Sequence, residues 1–244
     1  MKKLFNVIVL LAGGALFLNA QQKNPESTEL WEPVPPIVTP GEGTQAPSDA
    51  IILFDGKNLD QWQTDKGAPA AWTVAEGALT VKPGTGTIQT KLPFGDCQLH
   101  IEFREPTVIT GDGQMRGNSG IFLQGLYEVQ VLDCYNNVTY SNGQTGSLYK
   151  QHIPLVNACK KPGDWQTYEI IYTAPRFSEK GRVMIPAYVT VIHNGVLVQN
   201  HIALLGTTEY IGLPKYKSHD LKLPIVLQDH GNLVSFRNIW IREL

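Results

Sequence analysis

The sequence predicts an all-β fold, a single antiparallel sandwich or barrel. Charged residues make up only 17% of the 244, below the ~25% of an average globular chain. Gly (23) and Pro (16) are plentiful, and the Ala, Leu, Glu and Lys runs that build helices are missing, which favours strands and turns. Short apolar runs recur between turn residues, with no 3.6-residue amphipathic stretch and no internal repeat. Apolar residues, 42% of the chain, suffice for a core, and sandwiches of this size commonly fold as one unit.

The chain opens on a secretory signal pattern over residues 1–20. Lys2 and Lys3 form a positive start, Leu4 to Leu18 is apolar apart from Asn6, and Ala20 is a small residue at a cleavage point. The expectation is an exported protein, periplasmic or secreted, with no membrane span once the signal is removed. Residues 21–47 read as a linker, with Pro25, Pro33, Pro35, Pro36 and Pro40 among polar residues that have little to bury. Ile51 to Phe54 is the first apolar run after it, so the folded domain is expected over 48–244.

Strand signals then follow in order. Ala71 to Val74 and Ala78 to Val81 flank Ala75-Glu76-Gly77, which is hairpin chemistry. After Thr87 to Thr90, the run Cys97 to Arg104 alternates, with Cys97, Leu99, Ile101 and Phe103 on one side. Ser119 to Leu123 and Tyr127 to Leu132 enclose Gln124-Gly125-Leu126. Trp165 to Tyr172 alternates again, and Ala187 to His193 runs into Asn194-Gly195, a strong two-residue hairpin signal. Val196 to Asn200, Ile225 to Gln228 and Val234 to Arg242 complete the set.

Charge excludes some functions. Lys and Arg (20) nearly balance Asp and Glu (22), so no basic excess exists to hold a phosphate backbone, and no nucleic acid partner is expected. Nucleophile-elbow, zincin, Walker A and dinucleotide fingerprints are all missing. Cys97, Cys134 and Cys159 are an odd set without metal-ligand spacing, read as small buried strand residues. An oxidising compartment would permit one disulfide and one free thiol. Asn137-Val138-Thr139 matches a glycosylation acceptor, a weak three-residue signal.

Candidate chemistry concentrates in two segments. In Tyr127 to Asp133, alternation places Glu128, Gln130 and Leu132 on one face and Tyr127, Val129, Val131 and Asp133 on the other. The two valines mark the second face as the core side, so an acid and an amide stand together on the first. Such a face suits sugar hydroxyls, which need donors and acceptors together. In Gln228-Asp229-His230-Gly231, Gln228 and His230 share a face. Asp229 is a candidate supporting carboxylate for an imidazole that can accept a proton near neutral pH. Lys150 lies in a long polar connection and could neutralise an oxyanion. Trp62, Trp72, Tyr149 and Trp165 could stack on sugar rings, although such residues are more often core.

Several motifs together resemble one family. They are Leu53-Phe54-Asp55-Gly56-Lys57-Asn58-Leu59 with Trp62, Arg116-Gly117-Asn118-Ser119-Gly120-Ile121-Phe122 and Tyr127-Glu128-Val129-Gln130-Val131-Leu132-Asp133. With them go Tyr149-Lys150, Gly163-Asp164-Trp165-Gln166, His193-Asn194-Gly195, Gln228-Asp229-His230-Gly231 and Phe236-Arg237-Asn238-Ile239-Trp240. Their content and order resemble the 3-keto-disaccharide hydrolase family from about residue 50 to the end, with Cys134 standing where a Ser is common.

The resemblance implies a concanavalin A-like jelly-roll β-sandwich whose concave face holds the site. It also implies 3-keto-glycosides as substrates, supplied by a separate sugar 3-dehydrogenase. Elimination across C1 and C2 followed by hydration would then hydrolyse the glycosidic bond. On that reading His230 and Glu128 are the base and the acid, in either order, and Lys150 and Arg116 stabilise the enolate. Asn118, Gln130, Gln228 and Asp133 bind substrate, and a divalent cation at Glu128, Gln130 or His230 is an alternative enolate stabiliser. Two other readings stand beside it. A classical glycosidase would need a second carboxylate, and the E-x-D-x-x-E pattern of jelly-roll glucanases is missing. A non-catalytic carbohydrate-binding module would need no acid or base.

Overall fold

The computed structural model describes residues 24–244, so the predicted signal segment lies outside the described residues. Of the described residues, 24–37 fall in one unit, in which Pro25–Thr28 forms a single 3-10 turn capped by Asn24. The second unit, Val38–Leu244, carries all the strands. It begins ten positions before the predicted start at 48. No α-helix occurs among the described residues, and none of their helical turns is long and apolar enough to cross a membrane.

Fifteen strands follow in order. They are β1 (Ile51–Phe54), β2 (Trp62–Thr64), β3 (Thr73–Ala75), β4 (Ala78–Thr80), β5 (Ile88–Phe94), β6 (Cys97–Arg104), β7 (Ser119–Leu123) and β8 (Tyr127–Val131). The rest are β9 (Gln166–Thr173), β10 (Arg176–Phe177), β11 (Val183–Ile185), β12 (Tyr188–His193), β13 (Val196–Ala203), β14 (Leu223–Leu227) and β15 (Ser235–Glu243). The large sheet runs β13-β12-β9-β6-β15-β4-β3, with β1 also on β15. The small sheet runs β2-β5-β14-β7-β8, and β10-β11 is a separate hairpin. Every pairing is antiparallel, and the architecture is a jelly-roll β-sandwich.

Alternation explains the core. On the large sheet Leu99, Ile101, Phe103, Tyr168 and Ile170 are fully buried, and they share one cluster with Ile121, Leu123, Val129, Val131 and Leu227 of the small sheet. Two tyrosines tie the layers with hydrogen bonds, Tyr168 Oη to Gln130 O (2.7 Å) and Tyr172 Oη to Gln124 Oε1 (2.7 Å). The Asn194-Gly195 turn forms as predicted, both residues having positive φ (52° and 81°), as a type I′ hairpin requires. Strand β2 and the hairpin β10-β11 have no counterpart among the strands expected from the sequence.

The far face of β6 is covered rather than solvated. Residues 38–48 cross it as a strap: Thr44 O accepts from Trp240 Nε1 (3.0 Å) and Asn238 Nδ2 (2.9 Å), and Thr44 Oγ1 donates to Glu102 Oε1 (3.1 Å). Arg242 pairs with Asp49 at 2.7 Å. His100 lies beneath this layer, stacked on Trp240 and bonded to Glu169. The proline-rich stretch read as linker is therefore, from residue 38 onward, a structural layer of the domain.

Candidate active site

Strand β8 sends Tyr127, Val129 and Val131 into the core and Glu128 and Gln130 to the opposite side. Glu128 and Gln130 are nevertheless buried, at 5% and 1% exposure, because loops close over them. One loop runs along the open edge of β8. Gln130 N donates to Ser147 O (3.0 Å), Gly146 N to Gln130 O (3.1 Å) and Tyr149 N to Glu128 O (3.1 Å). This pairing satisfies an edge that would otherwise present bare backbone groups. It delivers Tyr149 and Lys150 beside Glu128.

The resulting cavity measures about 580 Å³ and is lined by Gln114, Met115, Asn118, Phe122, Glu128, Gln130, Tyr140, Tyr149, Lys150, Thr208, Tyr210, Gln228 and His230. That volume suits a sugar with part of its aglycone. Burial pushes the Glu128 carboxyl up to about 8, so it holds its proton at neutral pH. The Gln130 amide has one end 3.0 Å from Glu128 Oε1. An amide accepts at one end and donates at the other, so by turning over it serves either a neutral or an ionised carboxyl. In the opposite amide orientation Gln130 Nε2 instead reaches Gln114 Oε1 (3.2 Å) and Asn118 Oδ1 (3.4 Å). Asn118 Nδ2 donates to Gln114 O (2.7 Å), and the Gln228 Oε1 atom is buried with no partner. A buried acceptor without a donor is costly, and a substrate hydroxyl would satisfy it.

Lys150 adopts φ +58°, an uncommon conformation for a non-glycine residue that often marks a functional position. Its Nζ donates to Tyr210 O (2.5 Å) and stands 4.3, 5.7 and 5.9 Å from the ring centroids of Tyr210, Tyr149 and Tyr140. The two tyrosine hydroxyls meet at 2.6 Å. Burial raises the Tyr149 phenol above its ordinary range, so it stays protonated.

Gly120 sits opposite Gln130 in the β7-β8 register. A Cβ there would overlap the Glu128 carboxyl and come 3.0 Å from the Phe122 ring. Gly120→Ala is expected to displace the carboxyl and lower kcat/KM about 100-fold, measured beside a thermal melt that shows the fold intact.

The structure gathers Glu128, His230, Lys150, Asn118, Gln130 and Gln228 around this cavity, and His230 is exposed at its mouth. Arg116 and Asp133 do not line it. Their side chains pair with each other at 2.6 Å, and Arg116 NH2 also donates to Tyr135 O (2.9 Å). Asp133, 3% exposed, accepts besides from Tyr135 N. The pair anchors the turn leaving β8, which takes both side chains away from the expected enolate and substrate contacts. Asp229 does not support His230 either, because its carboxylate accepts from the backbone of Gly84 (2.9 Å), Gly86 (3.1 Å) and Gly231 (2.9 Å). It fastens the segment that carries Gln228 and His230.

Trp62 and Trp72 are core residues bonded to Leu53 O and Gly86 O, and Trp165 is held between Arg104 and Arg237. Of the proposed stackers only Tyr149 reaches the cavity. Asn137 donates to Gly113 O and Asp133 O, so its amide has a structural role. Gln114, Met115, Phe122, Tyr140, Thr208 and Tyr210 were missed. Phe122 carries a signal in hindsight, alternating with core Ile121 and Leu123 opposite Glu128. The others sit on loops with no period to read. Among the described residues no three His, Cys, Asp or Glu side chains group closely enough to hold a metal ion.

Known proteins match this chain over most of its length. The profile of the 3-keto-alpha-glucoside-1,2-lyase-like domain family matches residues 49–242. A 3-keto-disaccharide hydrolase of Bacteroides thetaiotaomicron is 26% identical across 83% of this chain and 82% of its own. A crystal structure from Parabacteroides distasonis, of a protein provisionally named a glycosyl hydrolase, is 59% identical with a TM-score of 0.87, covering 91% of this chain and 97% of that one. A second protein of that organism, 23% identical with a TM-score of 0.55, covers 80% of this chain and 99% of its own and shares the fold.

Proposed function

Because this chain belongs to the 3-keto-alpha-glucoside-1,2-lyase-like family, and acts on glycosides, we propose that it cleaves the glycosidic bond of 3-keto-glycosides by elimination and hydration. The observation that carries the reading is a buried, proton-holding Glu128 in a sugar-sized cavity that also contains an ammonium and an imidazole. A ketone at C3 acidifies the C2 hydrogen. His230 takes that proton, and the electron pair moves into the C2–C3 bond, leaving negative charge on the C3 oxygen. The Lys150 ammonium faces that charge. The enolate then re-forms the ketone, the C1–O bond breaks, and Glu128 gives its proton to the departing oxygen. Water adds to the enone, its hydroxyl at C1 and its proton at C2, for net hydrolysis.

Glu128 is the one carboxylate among the described residues lining the cavity, whereas a classical glycosidase needs two about 5–9.5 Å apart. A purely binding module would have no use for a carboxyl held neutral by burial. The substrate would come from a sugar 3-dehydrogenase, and export under the N-terminal signal would place this chain outside the cytoplasm.

The test compares aglycone release from a 3-keto-glucoside and from its unoxidised parent, each with and without EDTA. Release from the ketone alone is expected. Release from the parent would make this a classical glycosidase, release from neither would favour a binding module, and loss with EDTA would place a divalent ion in the site. Lys150→Met should lower kcat about 100- to 1000-fold with KM little changed, the pattern of a group that acts on developing charge.

A further inference from the structure

Two of the three cysteines meet outside the cavity. Cys134 lies three residues past the end of β8 and is 2% exposed; Cys159 lies in the loop before β9 and is partly exposed. Neither sits on a strand. Asn157 clasps both, donating from Nδ2 to Cys134 O (3.0 Å) and accepting at Oδ1 from Cys159 N (3.0 Å). Thr145 N donates to Cys134 Sγ (3.2 Å), and the Thr145 hydroxyl oxygen lies 3.4 Å from the same sulfur. Asn157 thus holds the two cysteine backbones at opposite ends of one amide, and the two thiols lie close enough to influence each other's ionisation. Cys97 is excluded: it is fully buried on β6, its thiol pushed up to about 12 by burial.

The surroundings show what a bond here would join. Cys134 adjoins Asp133, anchored by Arg116 at the end of the small sheet. Cys159 lies between Ala158, whose carbonyl accepts from Asn194 Nδ2 (2.8 Å), and Lys160, whose N–H donates to Gln166 Oε1 (3.0 Å). Both of those partners belong to the large sheet or its hairpin turn. A link between the sulfurs would therefore staple one sheet to the other and close the loop 135–158. That loop carries Tyr140, Tyr149 and Lys150, three residues of the cavity wall.

We infer that Cys134 and Cys159 are a disulfide pair, formed when the chain meets a disulfide oxidant such as oxidised glutathione, and that Cys97 remains a thiol. The partly exposed Cys159 is the point of entry. Its proton passes to water, and its thiolate attacks the oxidant, forming a mixed disulfide and releasing one glutathione thiolate. Cys134, whose thiol is held below its ordinary value by the neighbouring Cys159 and by Thr145, then loses its proton and attacks the Cys159 sulfur. The second glutathione thiolate leaves. Two thiols are oxidised, one glutathione disulfide is reduced, and the two released protons go to the two glutathione thiolates.

The experiment uses the full mature chain, equilibrated separately with oxidised glutathione and with a reducing agent. Intact mass, non-reducing peptide mapping and thermal melts are then recorded. The oxidised protein should lose two hydrogens in mass, yield a Cys134–Cys159 cross-linked peptide, and melt about 5–10 °C higher than the reduced protein. Cys97→Ser should keep the cross-link, while Cys134→Ser and Cys159→Ser should each abolish it. A cross-link to Cys97, a glutathione adduct at Cys159 that never resolves, an unchanged mass, or equal melting temperatures for the two forms would each overturn the inference. The mass and mapping results come from the unaltered protein, so a variant that fails to fold leaves the test intact.

Discussion

Glu128→Gln should lower kcat/KM on a 3-keto-glycoside with an alkyl aglycone by about 100- to 10,000-fold, the range for loss of a positioned proton donor. The amide has the shape of the neutral carboxyl it replaces and can still bond to Gln130, so the fold at pH 6 should be unchanged. It cannot supply a proton to the departing oxygen. The loss should therefore shrink on a nitrophenyl glycoside, whose leaving group departs without one. In the unaltered protein kcat/KM should fall on the alkaline side as Glu128, pushed up to about 8 by burial, loses its proton. Steady-state kinetics across pH 5–10 on both substrates decide the matter. Equal losses on both would make Glu128 something other than the acid, and unaltered turnover would remove it from the mechanism.

Stability should fall steeply between pH 5 and pH 9. Two buried carboxyls, Glu105 (1% exposed) and Glu128 (5%), are both pushed up to about 8, chiefly by burial. Glu105 takes both its hydrogen bonds from Gln166 Nε2 (2.9 and 2.7 Å), and these do not offset its desolvation. In the unfolded chain each would titrate near ~4.3. Between ~4.3 and about 8 the folded protein therefore holds protons that the unfolded chain has released. The free energy of unfolding then decreases as pH rises through that window and levels off above it. The full effect is on the order of 3–5 kcal/mol for each group. Urea denaturation at pH 5, 7 and 9 should show the midpoint moving down. Glu128→Gln should flatten part of that slope, making the variant the more stable protein at pH 9 while the two are similar at pH 5. A variant as pH-sensitive as the parent would mean that Glu128 ionises normally.

These effects divide what could be read along the chain from what required folding. Period-2 alternation placed Leu99, Ile101 and Phe103 in the core, and it placed Glu128 and Gln130 together on the far side of Val129 and Val131. Backbone geometry alone dictates that alternation, so it survives without knowledge of any distant contact. The Asn194-Gly195 turn and the limits of β6 and β7 were legible for the same reason, and the motif order pointed to the family.

The protonation of Glu128 was not legible. Its burial comes from Gln114, the 140–150 loop and Thr208–Tyr210, segments far apart in sequence that meet only in three dimensions. The Arg116–Asp133 pair was misread because its members lie 17 positions apart, and a charge in sequence gives no sign of whether a neighbour has neutralised it. Asp229 looked like a partner for His230 by adjacency, but its carboxylate turns to the Gly84 and Gly86 amides more than 140 positions away. The strap at 38–48 looked like linker because proline and threonine have little to bury, and the Trp240, Asn238 and Glu102 side chains that hold it are distant in sequence. Sequence alone thus determined the fold class and the residues that share the site's strand face. Tertiary structure decided which charges are spent on holding the fold and which stay open to a substrate, because pairing and desolvation depend on groups that the chain brings together only by folding.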